Sequence, residues 1–236
     1  MSEFRKRRRY GSVAVVSCEG SYGIALDGKE IATPQGQPLR LPSLALAEAV
    51  AAEWQAQGSH IDPSTMPLTR LAGSAIDVVA RARAAIVERT SAYAATDLLC
   101  YRAAESQALA GRQRASWQPL LEWAAQRYGA PLEVTTGILA LAQPETSLAI
   151  LRRAVEAADD WRLTALAAAT AACGSLILAL AMAEGEIDAE AAARLAFLDE
   201  SYQSERWGED AEALRKRAAA AAEIAAAARF LALLAA

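Results

Sequence analysis

The apolar positions of this chain change their rhythm at Pro42. Before it they fall in short runs: Val13 to Cys18 is β-branched, and Tyr22 to Leu26 and Lys29 to Thr33 flank Asp27-Gly28. Branched residues favour strands, and an Asp-Gly link tolerates the positive φ of a two-residue hairpin. Thr33-Pro34 closes that hairpin, and Pro38 to Leu41 adds a short strand. After Pro42 the texture is helical. Ser43 is placed to cap a helix from Leu44 to about Gln57, with Gly58 as its stop. A proline-bounded loop, His60 to Pro67, precedes a helix through Leu71, Ala75, Ile76 and Val79, then another from Ala84 to Tyr93. Leu98 to Ala103 fits helix or strand. Gln107 to Tyr128 reads as a pair of helices, because Ser116 and Pro119 fit a helix start in its middle. Leu132 to Thr136 is extended. Helices are expected over 145–158, 160–184, 188–207 and 209–234, with Gly185 and Gly208 at breaks. The predicted fold class is α+β: a small N-terminal antiparallel β domain over 1–42, followed by a larger all-helical domain over 43–236.

Two segments imitate membrane or export signals. Leu163 to Ala183 carries no charge and is long enough to span a bilayer. It is largely alanine, however, with Thr164, Thr170, Cys173, Gly174 and Ser175 inside and Arg162 and Glu184 at its ends. Small residues let a helix pack closely on all sides, so a buried central helix is expected and no integral membrane segment. Arg5-Lys6-Arg7-Arg8-Arg9 ahead of Val13 to Cys18 resembles a lipoprotein signal, but the apolar run falls short of the roughly 7–15 residues such signals need. The basic arm is expected to be a frayed terminus, with weak contact to an anionic surface as its alternative.

Composition narrows the function classes. With 54% apolar and 22% charged residues in 236, the chain is globular rather than disordered. A net charge of −4 gives no support to a nucleic-acid partner. Three scattered cysteines without a CxxC pair argue against a disulfide framework and a zinc site, and read as reduced, mostly buried thiols. His60 is the only histidine, so a catalytic triad or His-rich metal site is not expected. Nucleotide-cradling loops are missing from the sequence, as is the nucleophile elbow. No catalytic residue, metal or cofactor is assigned. The carboxylate pairs Asp159-Asp160, Asp199-Glu200 and Glu209-Asp210 leave one alternative, a helical-bundle enzyme or ligand-binding protein. The first and third pairs also suit helix starts, where the dipole favours negative charge.

Leu198 to Glu212 is the densest polar and aromatic segment in an alanine- and leucine-rich background. On a helical wheel Ala191, Leu195, Leu198 and Tyr202 form the buried stripe, and the next step lands on Glu205. A carboxylate there is expected to be partly buried and to need a donor such as an arginine. Asp199, Gln203, Arg206 and Asp210 lie on one flank, and Glu200, Ser204 and Trp207 on the other. The arrangement reads either as a solvated face or as an acidic docking face anchored by an aromatic.

Several motifs then carry a resemblance. They are Thr33-Pro34, Glu53-Trp54, Met66-Pro67-Leu68-Thr69-Arg70-Leu71-Ala72 with Ala75-Ile76-Asp77, and Thr96-Asp97-Leu98-Leu99-Cys100-Tyr101-Arg102-Ala103. Trp117-Gln118-Pro119-Leu120-Leu121, Gly174-Ser175, and Asp199 to Gly208 complete the series. In order from about residue 10 onward, they resemble the F1-ATPase assembly chaperones that handle the alpha subunit of ATP synthase. The resemblance implies a non-enzymatic chaperone that binds free alpha and shields its subunit interface until beta replaces it. It carries the partner-binding role to Asp199, Glu200, Gln203, Glu205, Trp207 and Asp210. It implies no cofactor, and the free protein is expected to be monomeric. Eukaryotic members enter the mitochondrial matrix by a presequence. This sequence starts almost at its β unit, so a bacterial cytoplasmic form is expected.

Overall fold

The computed structural model describes residues 6–137, 139 and 141–235. Its class is α+β, as expected. Strands β1 (Val13–Cys18), β2 (Ser21–Leu26) and β3 (Lys29–Glu30) form an antiparallel sheet in that order. Val13 faces Leu26, and Leu26 faces Lys29. Asp27 and Gly28 turn the hairpin with φ of 48° and 80°, which is the conformation the Asp-Gly pair was read to supply. Pro38 to Leu41 makes isolated bridges, Ala32 with Pro38 and Tyr22 with Leu41, in place of the expected strand. Proline at position 38 has no N–H to extend a ladder.

Helix α1 (Leu44–Gln55) packs on β1 and β2, burying Leu46 and Val50 with Ile24 and Leu41. Ser43 caps it by accepting from the Leu46 N–H at 3.2 Å. α2 (Pro67–Ser74) runs through a π-helical turn, Ala75–Val79, into α3 (Ala80–Ala92). Short 3-10 turns at Tyr93–Thr96 and Leu98–Cys100 lead to β4 (Tyr101–Arg102). The ambiguous segment is therefore a helical turn and then a strand. α4 (Gln107–Tyr128) follows, then β5 (Thr135–Thr136), which pairs in parallel with β4. The remainder is helical: α5 (Glu145–Glu156), α6 (Asp160–Cys173), α7 (Leu176–Ala183), α8 (Ala189–Ala196), α9 (Leu198–Trp207) and α10 (Ala211–Leu234).

The chain divides into two compact units. One holds residues up to Arg83, Asp160–Ala165 and residues from Arg229 on; the other holds Ala84–Asp159 and Leu166–Ala228. The change of texture at Pro42 is thus a change of secondary structure, since the unit containing the sheet continues through α1 and α2.

Four expectations are corrected. Gln107 to Tyr128 is one helix, with Pro119 in its interior. An interior proline costs about 3 kcal/mol, but Trp117, Leu120 and Leu121 are buried around it, at roughly 1.5–3 kcal/mol each. Packing therefore outweighs the lost bond. The stretch 160–184 is two helices, because Gly174 takes φ of 65° and Ser175 caps α7 through the Leu178 N–H at 3.0 Å. Leu176 to Met182 are all buried, so the expected central position holds for α7. No helix among the described residues is long and apolar enough to cross a membrane. The stretch 188–207 also breaks, at Phe197. Finally, the basic arm is not frayed over Lys6–Arg8: the Arg8 N–H donates to Ser59 O at 2.9 Å and the Ile61 N–H to Lys6 O at 2.8 Å. Arg5 lies outside the described residues.

Buried carboxylates lock each unit internally. Glu53 accepts from the Leu68 and Thr69 N–H groups, both at 2.8 Å, and so caps the start of α2. Asp77 accepts from the Thr33 hydroxyl at 2.7 Å. In the other unit, Asp97 is fully buried and accepts from the Leu99 N–H, the Ser175 hydroxyl and the Ile177 N–H, which fixes the start of α7. Burial pushes its carboxyl up to about 6, against the opposing pull of those bonds.

Candidate docking face on α9

Helix α9 packs on the first half of α4. Three side-chain pairs join them: Ser106 with Tyr202, Arg112 with Glu205, and Gln113 with Asp199. The Trp117 indole N–H donates to Leu195 O at 3.0 Å, at the end of α8. Tyr202 is the buried member of α9. Its hydroxyl is hydrogen-bonded to Ser106 at 3.0 Å and receives a bond from Arg206 at 2.7 Å, while Arg112 lies 5.0 Å from its ring centre. The Ser106 bond foremost, then the Arg206 bond and the adjacent cations, holds the phenol below its ordinary pKa.

These contacts sort the six residues expected to bind a partner. Asp199 is half-buried, and its carboxylate accepts from the Gln113 amide at 2.8 Å. Glu205 pairs with Arg112 at 2.7 Å. Asp210 caps α10 through the Glu212 N–H at 3.0 Å. Glu200, Gln203 and Trp207 are exposed and lie three and four residues apart, so Gln203, expected on the other flank, shares one face of α9 with them. Trp207 is 75% exposed, far beyond the usual state of an indole.

The wheel reading of this region needs correction. Phe197 interrupts the helix, so Ala191, Leu195, Leu198 and Tyr202 do not share a stripe; Ala192, Ala196 and Tyr202 are the buried positions. Glu205 is exposed rather than partly buried, although its partner is an arginine as expected. The residues that sequence reasoning missed are Ser106, Arg112 and Gln113. Gln113 is almost fully buried in α4, accepting from the Ala103 N–H at 2.7 Å while it donates to Asp199. A polar residue at an inward helical position was the only signal it offered.

Arg102 supports the same region from beneath. It is buried, lies 5.1 Å from the Trp117 ring centre and donates to Gln113 O at 3.3 Å. Burial lowers its pKa from the usual guanidinium value. The alternative of carboxylate chemistry finds little here. Asp160 pairs with Arg83 at 2.6 Å, and Glu209 stands 3.9 Å from Arg217. No group of three or more His, Cys, Asp or Glu among the described residues could hold a metal ion. Cys100 and Cys173 are buried free thiols, each pushed up to about 12 chiefly by burial, so neither serves as a nucleophile near neutral pH.

The motifs quoted from the sequence thus interlock in pairs. Thr33 meets Asp77, Glu53 meets the 66–72 motif, Asp97 meets Gly174-Ser175, and Trp117 holds the end of α8, just ahead of α9. Glu200, Gln203 and Trp207 stand apart from that interlocking and point outward.

Known proteins resemble this chain along nearly its whole length. A profile of the ATP12 chaperone protein family matches residues 7–125. The protein atp12, mitochondrial, of Schizosaccharomyces pombe is 26% identical over 214 residues, which span 86% of this chain and 74% of that protein. The crystal structure of Atp12 from Paracoccus denitrificans is 44% identical with a TM-score of 0.93, covering 98% of this chain and 100% of that one. A point mutant of the same Paracoccus protein gives 43% identity and 0.93, covering 99% and 100%. The profile ends within α4, whereas the structural likeness extends across α9.

Proposed function

Because the chain belongs to the ATP12 chaperone family of ATP synthase assembly, we propose that it binds the free alpha subunit of F1 and shields its subunit interface until beta takes its place. The observation that carries the site is the outward row Glu200, Gln203 and Trp207, with Trp207 75% exposed. An exposed indole beside carboxylates supplies a large, stiff contact area, and the charges fix register with the partner. Asp199 and Glu205 hold α9 on α4, and Asp210 starts α10, so these three orient the row. The action needs no bond made or broken and no cofactor. The protein works as a monomer in the bacterial cytoplasm in this proposal.

Mixing the purified chain with isolated alpha subunit tests this directly. A complex on size exclusion and suppressed aggregation of alpha, without nucleotide, are expected. Failure to bind soluble alpha overturns the proposal.

A further inference from the structure

The basic arm is built into its unit rather than trailing from it. Beyond the two backbone bonds to the Ser59–Ile61 segment, the Arg8 guanidinium donates to Tyr10 O at 3.1 Å, to Gln55 O at 3.1 Å and to Gln57 O, and it stacks on the Tyr10 ring at 4.5 Å. Gln55 ends α1 and Gln57 follows two residues later, so the cation sits at the helix C-terminus, where it suits the dipole. The Tyr10 hydroxyl in turn donates to Trp54 O at 2.8 Å. One arginine therefore anchors the ribbon.

Its neighbours do no such work. Lys6, Arg7 and Arg9 are exposed, and among the described residues none of them has a carboxylate partner. Nearby acids are engaged elsewhere: Asp62 with Ser64, Glu53 with the start of α2, and Asp27 with Gly11 and Ser12. Positions 7 and 9 flank Arg8 in an extended segment, so their side chains leave the side of the chain opposite its anchor. Ordering a residue costs about 1–2 kcal/mol, and like charges held side by side repel. Neutral residues at 6, 7 and 9 would dock equally well, since the contacts come from Arg8 and the backbone. Arg7 and Arg9 are thus held ordered, side by side and hydrated on one face of the ribbon, where an anionic surface can meet both at once.

We infer that the ribbon Lys6–Arg9 is a contact site for anionic phospholipid headgroups, with Arg7 and Arg9 meeting the charge and Arg8 holding the ribbon in place. A ribbon of outward cations cannot enclose and desolvate a single ligand. Against a folded protein its charges would be rim contacts of little strength. A lipid leaflet instead offers dense phosphates over a plane, with roughly 1 kcal/mol per cation at its surface.

The test is flotation of the full-length chain with vesicles of phosphatidylcholine alone or with phosphatidylglycerol added, at low and high salt. The chain should float only with anionic vesicles and only at low salt. The double substitution Arg7→Gln, Arg9→Gln should weaken partitioning by roughly fivefold per cation removed, with the melting curve unchanged, while Arg7→Lys, Arg9→Lys should retain it. No flotation with anionic vesicles, equal flotation with neutral ones, or undiminished flotation of the glutamine variant overturns the inference. Tighter binding to polyglutamate than to anionic vesicles assigns the ribbon to acidic protein and overturns it also.

Discussion

Glu205 of α9 and Arg112 of α4 meet at 2.7 Å with both side chains about half exposed. The pair ties the C-terminal half of α9 to its support, two residues before Trp207. Replacing Glu205 by lysine removes the bond and sets a second cation against Arg112. An exposed pair contributes no more than about 1 kcal/mol, so the fold should survive. Binding to alpha should fall roughly tenfold or more, because losing this tie lets α9 shift on α4 and carries the proposed docking row with it. Thermal unfolding and a titration with alpha separate the two effects, and unaltered binding would show the row to be misplaced.

Trp207 gives the sharper version of that test. Sequence alone could not separate a packing role from a binding role for it, but an indole 75% exposed contributes little to the core. Trp207→Ala should leave stability within about 0.5 kcal/mol. Affinity for alpha should drop about thirtyfold, the measure of a hot spot near 2 kcal/mol. A large loss of melting temperature with intact affinity would reverse the assignment.

What the sequence disclosed was local. Asp27-Gly28 forms its hairpin, Ser43 caps α1 and Asp210 caps α10, because each depends on backbone groups a few residues away. What it hid was the choice between local signals and distant packing. Pro119 reads as a helix start until Trp117, Leu120 and Leu121 are seen buried together. Gly174 reads as one more small residue in an uncharged run until Asp97, 78 residues before Ser175, is found at the start of α7. The docking row was legible as a dense segment, yet its division into orienting and outward residues was not. That division depends on the register of α9 against α4, which side-chain packing sets.

Asp97 makes stability depend on pH in an unusual direction. Its carboxyl is held at about 6 in the folded protein, above the ordinary aspartate value of 3.8. Between those values the unfolded chain releases the proton while the folded chain keeps it. The contribution is therefore fully present below about pH 4, falls as pH rises, and levels off above about pH 6, a loss on the order of 3 kcal/mol. Urea unfolding of wild type and Asp97→Asn across this range should give a difference curve of that sign, since asparagine does not titrate. A flat difference curve would show that the carboxyl ionises equally in both states.

Gly208 sets the end of the docking helix. Its φ of 91° and ψ of 167° lie in a region almost reserved for glycine, and its N–H closes α9 by donating to Ser204 O at 3.0 Å. No atom stands within 4 Å of where a Cβ would sit, so the penalty for a side chain is in the backbone and not in crowding. Gly208→Ala should cost about 1–3 kcal/mol if the bend is kept. Relief of that strain would turn the backbone after Trp207 and displace the indole from the row. Affinity for alpha should then fall while the melting temperature drops by less than the retained strain predicts. Gly185→Ala, which has a φ of 78° and equally open surroundings outside α9, supplies the control. It should lower stability and leave affinity unchanged, and equal losses of affinity in both variants would mean that the bend at Gly208 has no special bearing on the partner.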